Sequence, residues 1–525
     1  MKVSEALSLF LDACLRNGVE PGTVDRTALA PAAMIVAQPA QWRELAYAAK
    51  TAAMRWCAFW AQEADGGFEV FSCFEWGGAY LIMRCRLGRG EELPSIASIY
   101  PNADRPERHA HDLLGIRFSD QPDPRRWTRH RAWDEHQYPL RSDFKAPAAA
   151  PTPPDHEYPF AQAHGPGIVE IPVGPVHAGI IEPGHFRFQA MGEFIINLEE
   201  HLGYVHKGIE KIAVGRDAEG LARLAARVSG DSTVAHAWAA CQAMERAAGM
   251  EVPARGQWLR AVMAERERIA NHLGDIGAIC NDAAFAFAQY QMTRLREDWV
   301  RESGVLFGHR LLMDRVVPGG AAADITAGDV RRMIDSARRI GPDAAEIVRI
   351  LEDSESLEDR LMRTGRLDPE LAAELGLVGY VGKASGQLFD VRADAPYAPY
   401  DQVEVRVPHY RAGDVAARAK VRAEEIAISL ELIVKLLESL PDGPHRTAWQ
   451  VPNRACEGMG MVEGWRGEIL SYVRFDEAGR IARFFPRDPS WLTWPALELC
   501  VQGNIVPDFP LCNKSINGSY SGHDL

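Results

Sequence analysis

Lys145-Ala-Pro-Ala-Ala-Ala-Pro-Thr-Pro-Pro154 divides the chain. Proline restricts φ and gives no N–H, so a run this rich in it joins neither a helix interior nor a sheet. Residues 145–158 therefore read as a linker between a domain at 1–144 and a larger one at 159–525. On the N-terminal side, helices at 4–17 and around 40–61 flank strands at 67–75 and 79–86, the pattern of a compact α+β domain. On the other side, strands at 167–171 and 186–191 bracket the glycine- and proline-rich Val173-Gly-Pro-Val-His-Ala-Gly-Ile-Ile-Glu-Pro-Gly184, a hairpin with a long tip.

Beyond the hairpin the apolar period turns to 3.6, with long helical segments at 218–248, 255–280, 284–307, 327–350 and 415–437. In the second of these, Leu259, Val262, Met263, Ile269 and Leu273 share a side, as a core-facing helix requires. Residues 470–525 read as strand and loop. The class expected is α+β: a small N-terminal α+β domain linked to a mainly helical domain with a β-hairpin at its start and strands near its end.

A formal net charge of −14 argues against a nucleic-acid partner, because phosphate contacts need clustered Lys and Arg. No stretch approaches the roughly 20 apolar residues of a spanning helix, so a cytoplasmic protein docked on the membrane through a complex is expected. The nine cysteines include no C-x2-C pair, the usual mark of iron–sulfur clusters and structural zinc. They read as reduced, mostly buried thiols. Trp465, Trp491 and Trp494 read as core or interface anchors, and Arg260, Arg266, Arg422, Glu424 and Glu425 as solvated or interface charges.

Glu107-Arg108-His109-Ala110-His111-Asp112-Leu113-Leu114-Gly115-Ile116, followed by Tyr138-Pro139-Leu140-Arg141-Ser142-Asp143-Phe144, resembles the 30 kDa subunit of respiratory complex I, with His109 in place of a family glutamate. After the linker, Pro172-Val-Gly-Pro-Val-His177, Glu182-Pro-Gly-His185-Phe186, Tyr204-Val-His206-Lys207-Gly208-Ile209-Glu210-Lys211, Glu267-Arg268-Ile-Ala-Asn271-His272-Leu273, Pro318-Gly319-Gly320 and Ala384-Ser385-Gly386 with Asp390-Val391-Arg392 come in order. They resemble the 49 kDa subunit of complex I and, more closely, the large subunits of formate-hydrogenlyase and energy-converting (hydrogenase-4-like) [NiFe]-hydrogenases.

That resemblance implies a nickel–iron site held by two C-x-x-C pairs. Here Ser229 and Ser232 hold the first spacing, while Asp508-Phe509-Pro510-Leu511-Cys512-Asn513-Lys514-Ser515 is the only trace of the second, with Cys512 and Ser515 at its ligand positions. A serine hydroxyl does not replace a soft, easily ionised thiolate, so no metal is expected. The resemblance further implies a quinone-facing histidine at His185, although the matching tyrosine position holds Gly230. It implies proton movement at His206 and Glu210, taken as an i, i+4 pair on one helical face. Asp231, a carboxylate within the former metal motif, is a further candidate for accepting protons or pairing with Arg227.

The expectation is a subunit of a membrane-associated, complex-I-related oxidoreductase that couples electron transfer to ion translocation without a nickel–iron centre. Its implied partners are a small iron–sulfur subunit and ion-translocating membrane subunits, on the cytoplasmic face of the inner membrane, with no cofactor in this chain except a quinone as its carrier. The alternatives are a quinone-reducing subunit of the NADH-quinone oxidoreductase type, a non-catalytic coupling scaffold, and, last, a true hydrogenase.

Overall fold

The computed structural model describes residues 2–130, 136–145, 158–178 and 181–525. The expected linker falls almost wholly outside the described residues. At 44% helix and 19% strand, the class is the α+β one expected. The first unit runs α1 (Lys2–Arg16), β1 (Thr23–Asp25), β2 (Ala33–Ala37), α2 (Trp42–Thr51), β3 (Arg55–Ala64), β4 (Gly67–Trp76), β5 (Ala79–Gly88), β6 (Glu92–Pro94), α3 (Asp104–Leu114) and β7 (Arg117–Ser119). Its main sheet has the order β1-β2-β5-β4-β3, with β2 parallel to β5 and the other pairs antiparallel. The helix expected over 40–61 stops at Thr51. Trp56, Phe59 and Trp60 turn the next segment into β3, whose burial beside β4 outweighs the helix preference of its alanines.

The second unit opens with a three-stranded sheet, β8 (Ile168–Val173), β9 (His185–Met191) and β10 (Phe194–His201), in the order β10-β9-β8. Then come α4 (Ile209–Ala213), α5 (Ala218–Ala225), α6 (Thr233–Ala248), α7 (Ala254–Asp282) and α8 (Ala286–Phe307). A short ladder of β11 (Val316–Val317) and β12 (Gly320–Ala321) precedes α9 (Ala327–Glu352), α10 (Glu355–Leu361), α11 (Pro369–Glu374), α12 (Gly379–Ala384), α13 (Val391–Asp394) and α14 (Val415–Glu438). The last part is a meander, β13 (Cys456–Gly464), β14 (Gly467–Phe475) and β15 (Ile481–Arg487), followed by α15 (Ser490–Cys500), α16 (Phe509–Ile516) and α17 (Tyr520–Asp524). The expected strands near the end are present, but two expectations change here: the helix read over 218–248 is interrupted between α5 and α6, and after Arg487 the helices α15–α17 stand where loop was expected.

Helix α7 is buried on nearly all sides, not on one stripe. Arg260 and Arg266, read as solvated, are inside: Arg260 pairs with Glu245 at 2.6 Å, and Arg266 with Glu302 at 3.2 Å. Arg422 and Glu425 are interior as well, with Arg422 on Asp275 at 3.0 Å, whereas Glu424 is exposed as expected. Sequence hydropathy misplaces these groups because it cannot see that each finds a buried partner, the one circumstance in which such charges enter a core. Trp465, Trp491 and Trp494 are buried, and of the nine free cysteines only Cys456 is partly exposed.

Helix α6 lies directly on β13. A Cβ at Gly460 would fall 2.0 Å from the Ala239 carbonyl oxygen, so only glycine permits this approach. The N-terminal sheet docks on the meander as well. Trp60 stacks on Phe71 at 5.0 Å and on Phe485 at 5.6 Å, and Arg84 pairs with Glu457 at 2.9 Å. Deepest in this joint, Glu468 is fully buried and accepts from Arg55 at 3.0 and 3.2 Å, from Tyr80 at 2.6 Å and from Arg487. Burial works to raise its carboxyl, but the two guanidinium groups outweigh it and hold the group down at about 2. Among the described residues no helix is long and apolar enough to cross a membrane.

Glu468→Ala takes the carboxylate from Arg487 and leaves Arg55 with Glu75 alone in this joint, a loss of about 3–5 kcal/mol. The expected result in a denaturant or thermal titration near neutral pH is a clearly lowered midpoint; a midpoint equal to that of the parent contradicts it. Because the folded carboxyl lies below its unfolded value, its contribution is present above the ordinary glutamate range and disappears as pH falls toward about 2.

Candidate functional site

The loop between α5 and α6 is tied from outside by Lys207, whose Nζ donates to the Arg227 and Val228 carbonyls at 2.9 Å each. Within it Ser229 Oγ donates to Asp231 Oδ1 at 2.8 Å and lies 2.8 Å from Ser519 Oγ, and Ser232 Oγ donates to Asp231 Oδ1 at 3.3 Å. Arg466, on the turn between β13 and β14, closes on the same carboxylate with both terminal nitrogens, at 2.6 and 2.7 Å. Its guanidinium also donates to Ser232 Oγ at 3.2 Å and to the Asn517 carbonyl at 2.7 Å. Burial works to raise the Asp231 carboxyl, but the Arg466 charge, with the hydrogen bonds from Arg466 and Ser229, brings it below the ordinary aspartate value. A second carboxylate, Asp488, is fully buried and holds His236 Nε2 at 2.8 Å. A Cβ added at Gly522 would stand 2.7 Å from Asp488 Oδ2 and 3.0 Å from Ser519 Oγ.

Ser229, Ser232, Ser519 and Gly522 thus border a space filled by Arg466 and the two aspartates. This corrects the ligand positions expected from sequence. Cys512 is buried beside Gly365 and Arg418, and Ser515 Oγ donates to the Cys512 carbonyl at 2.8 Å and accepts from Arg418 at 3.0 Å; neither side chain is bonded to Ser229 or Ser232. The signal available in the sequence was spacing: Ser519-Tyr520-Ser521-Gly522 repeats the two-residue interval of Ser229 and Ser232.

The other expected residues separate. Asp231 pairs with Arg466, while Arg227 pairs with Asp314. His206 precedes α4, so it shares no helical turn with Glu210, and its Nδ1 lies 2.7 Å from the Asp524 carbonyl oxygen. Glu210 is held by Arg483 and by His109, whose Nε2 is 2.8 Å from Glu210 Oε1. Burial opposes ionisation of Glu210, yet Arg483 and His109 hold its carboxyl down at about 2. His185 opens β9 instead of standing at the hairpin tip. Its Nε2 is 3.4 Å from Arg187 Nε, its ring packs against Phe160, and burial lowers it from the usual histidine value. The neighbouring Phe186 points to the opposite face, toward Phe509 and Tyr520. The loop histidine that reaches the C-terminal segment is His177, with Nε2 3.2 Å from the Tyr520 hydroxyl.

One residue that the site reading of the sequence passed over stands beside Asp231. A cavity of about 110 Å³ is lined by Gly230, Asp231, Arg266, Glu267, Asn271 and Arg296. Glu267 accepts from the Val234 and Ala235 amides at 2.7 and 3.2 Å, capping α6 from outside because the Ser232 side chain is engaged elsewhere. Burial pushes its carboxyl up to about 8, the two amides opposing and the Asp231 charge adding. Two adjacent carboxyl groups whose environments drive them in opposite directions are suited to acid and base work.

Residues 24–150 match the family of the respiratory-chain NADH dehydrogenase 30 Kd subunit, 207–274 the nickel-dependent hydrogenases, and 282–455 the NADH dehydrogenase 49 Kd subunit. Formate hydrogenlyase subunit 5 of Escherichia coli (strain K12) is 33% identical over 439 residues, 82% of this chain and 77% of that one. Hydrogenase-4 component G of the same organism is 31% identical over 467 residues, 88% and 81%. A chain of the membrane-bound sulfane sulfur reductase, an archaeal respiratory membrane complex, shares the fold, with a TM-score of 0.64 at 24% identity over 68% of this chain and 99% of its own. The residues present do not fit a nickel–iron centre: three hydroxyls and a glycine border the space, a guanidinium fills it, and no cluster of three His, Cys, Asp or Glu side chains placed to hold a metal occurs among the described residues.

The Glu267 carboxyl lies above its unfolded value, so its contribution to stability is complete below about pH 4.5 and is lost as pH rises through about 8. Glu267→Gln keeps the acceptor oxygen and removes the ionisation. Between those limits the variant is expected to lose less stability than the parent, by on the order of 2–5 kcal/mol, read from urea titrations at successive pH values; parallel curves contradict it.

Proposed function

The chain belongs to the family that unites the 30 kDa and 49 kDa subunits of respiratory complex I with hydrogenase large subunits, and on that premise we propose that it serves in a membrane-associated oxidoreductase whose electron transfer drives ion translocation, with no nickel–iron centre of its own. The observation that carries this reading is the Arg466–Asp231 pair, set among Ser229, Ser232, Ser519 and Gly522. A fixed cation beside an ionised carboxylate, with Glu267 next to it, offers electrostatic stabilisation and a proton but no redox metal. Electrons then come from an iron–sulfur cluster in a small partner subunit, and the ion path lies in membrane partners on the cytoplasmic side of which this chain docks. His206 and Glu210 hold the seam between α3 and the C-terminal segment, where Glu210, kept ionised by Arg483 and His109, acts through its charge.

A quinone as the acceptor is favoured by the His177–Tyr520 contact. Reduction of a quinone to a quinol takes two electrons and two protons, and His177 and Tyr520, now bonded to each other, supply donors for its oxygens once the quinone parts them. His185 then positions the strand that carries this loop.

Metal analysis of the purified assembly tests the reading. The expected result is nickel far below one atom per chain and no evolution of dihydrogen; stoichiometric nickel contradicts it. Asp231→Asn is expected to slow acceptor reduction roughly 10²-fold while the partner's cluster is still reduced. Full activity in that variant points to a chain that only transmits conformational coupling.

A further inference from the structure

Behind the turn that carries Arg466 lies a second charged group. Three cations, Arg268 on α7, Lys383 on α12 and Arg392 on α13, meet four carboxyl groups, Glu265 on α7, Asp390 at the start of α13, Glu425 on α14 and Glu463 on β13. None is more than 1% exposed, and His272 beside them is fully buried. With every acid ionised and His272 neutral the set carries one negative charge too many, and an interior of this kind takes up a proton in preference to holding an uncompensated charge.

Geometry says where the proton sits. Glu265 receives Arg392 at 2.9 and 3.0 Å, Arg268 at 3.2 Å, Tyr400 at 2.5 Å and Ser429 at 2.6 Å. Asp390 is bound twice by Arg392, at 3.0 and 2.8 Å, and its backbone amide donates to Asp394. Lys383 Nζ is 2.6 Å from Asp390, 2.7 Å from Glu425 and 3.5 Å from Glu463. Among the described residues Glu463 has besides that only the Val391 amide, at 3.1 Å, and is the least compensated of the four. The rival, a charged His272, is disfavoured: its Nε2 is 2.6 Å from Glu425, but its Nδ1 is buried with no partner among the described residues, so an imidazolium would leave an N–H unmet. Past His272, Arg422 is satisfied by Asp275.

We propose that this network is a proton-binding site in which Glu463 holds one exchangeable proton, coupled to the Arg466–Asp231 pair through the turn that joins them. Residues 463–466 connect the two groups directly. Arg268 clamps the Glu463 and Gly464 carbonyls at 2.8 and 2.9 Å, and Trp465 Nε1 donates to the Asp231 carbonyl at 2.9 Å. Burial, with Asp390 adding, pushes the Glu463 carboxyl up to about 7 against the pull of Lys383, Arg268 and Arg392, so the site loads and empties near neutrality. Coupling is reciprocal: charge arriving at Asp231 raises the proton affinity of Glu463, and loading Glu463 favours that charge. The proposal rests on the reading of the Arg466–Asp231 pair as the working site.

Infrared difference spectroscopy of the full-length protein across neutral pH reads this proton. The expected signal is a protonated-carboxyl C=O band that titrates near pH 7, separate from the Glu267 and Glu107 carboxyls that titrate near 8 in every variant, is lost in Glu463→Gln, and returns at a shifted position in Glu463→Asp. In Asp231→Asn the band persists but titrates at lower pH, because Arg466 has lost its counter-charge. Absence of the band below neutrality, or its persistence in Glu463→Gln, overturns the assignment, and an unmoved midpoint in Asp231→Asn overturns the coupling. Acceptor reduction in the same Asp231→Asn preparation reports on the earlier reading separately, since it does not depend on whether the band is present.

Discussion

Everything around the site depends on one ion pair, the two-pronged contact of Arg466 with Asp231. A guanidinium is a permanent cation whose planar donors suit a carboxylate and neighbouring hydroxyls at once. Placed among Ser229, Ser232 and Ser519, it keeps Asp231 and Asp488 from facing each other as two bare negative charges. The serines are then hydrogen-bonding partners of a charge pair, a role that hydroxyls fill well and thiolates do not. The hydroxyls of Ser229, Ser232 and Ser519 and the guanidinium of Arg466 form one arrangement.

The rest of the molecule holds that arginine in place. Its turn belongs to the meander β13–β15, which α6 covers on one side through the close approach at Gly460 and the N-terminal sheet grips through Trp60, Arg55 and Arg84. The first unit therefore does more than provide a docking surface. It also sends His109 to Glu210 across the seam, where the glutamate of the resembling family would bring a second acid against Glu210, already matched by Arg483. A histidine there supplies a neutral or positive partner instead.

Long apolar periods made α7, α8, α9 and α14 legible in the sequence within a few residues, and the order of short motifs gave the family. What stayed hidden has a common physical origin. Arg260, Arg266, Arg422 and Glu425 read as solvated or interface charges because burial is decided by partners far away in sequence, such as Asp275 for Arg422. Arg466 and Glu267 went unassigned for the same reason: the first acts on a loop 235 residues earlier, and the second caps a helix it does not belong to. The break between α5 and α6 shows in Ser229-Gly230-Asp231-Ser232, residues that favour caps and turns, but the alanine-rich flanks keep the helical period across it. Cys512 drew attention as the one surviving sulfur, while convergence in space falls to Ser519 and Gly522. The linker and its bounds were read from proline alone.

The most direct measurement is a density map of the assembled complex at side-chain resolution, taken at the ring of Ser229, Ser232, Ser519 and Gly522. The account predicts continuous density for Arg466 locked onto Asp231, with Asp488 held by His236. Strong density for a metal pair in that ring, with Arg466 turned away, contradicts it.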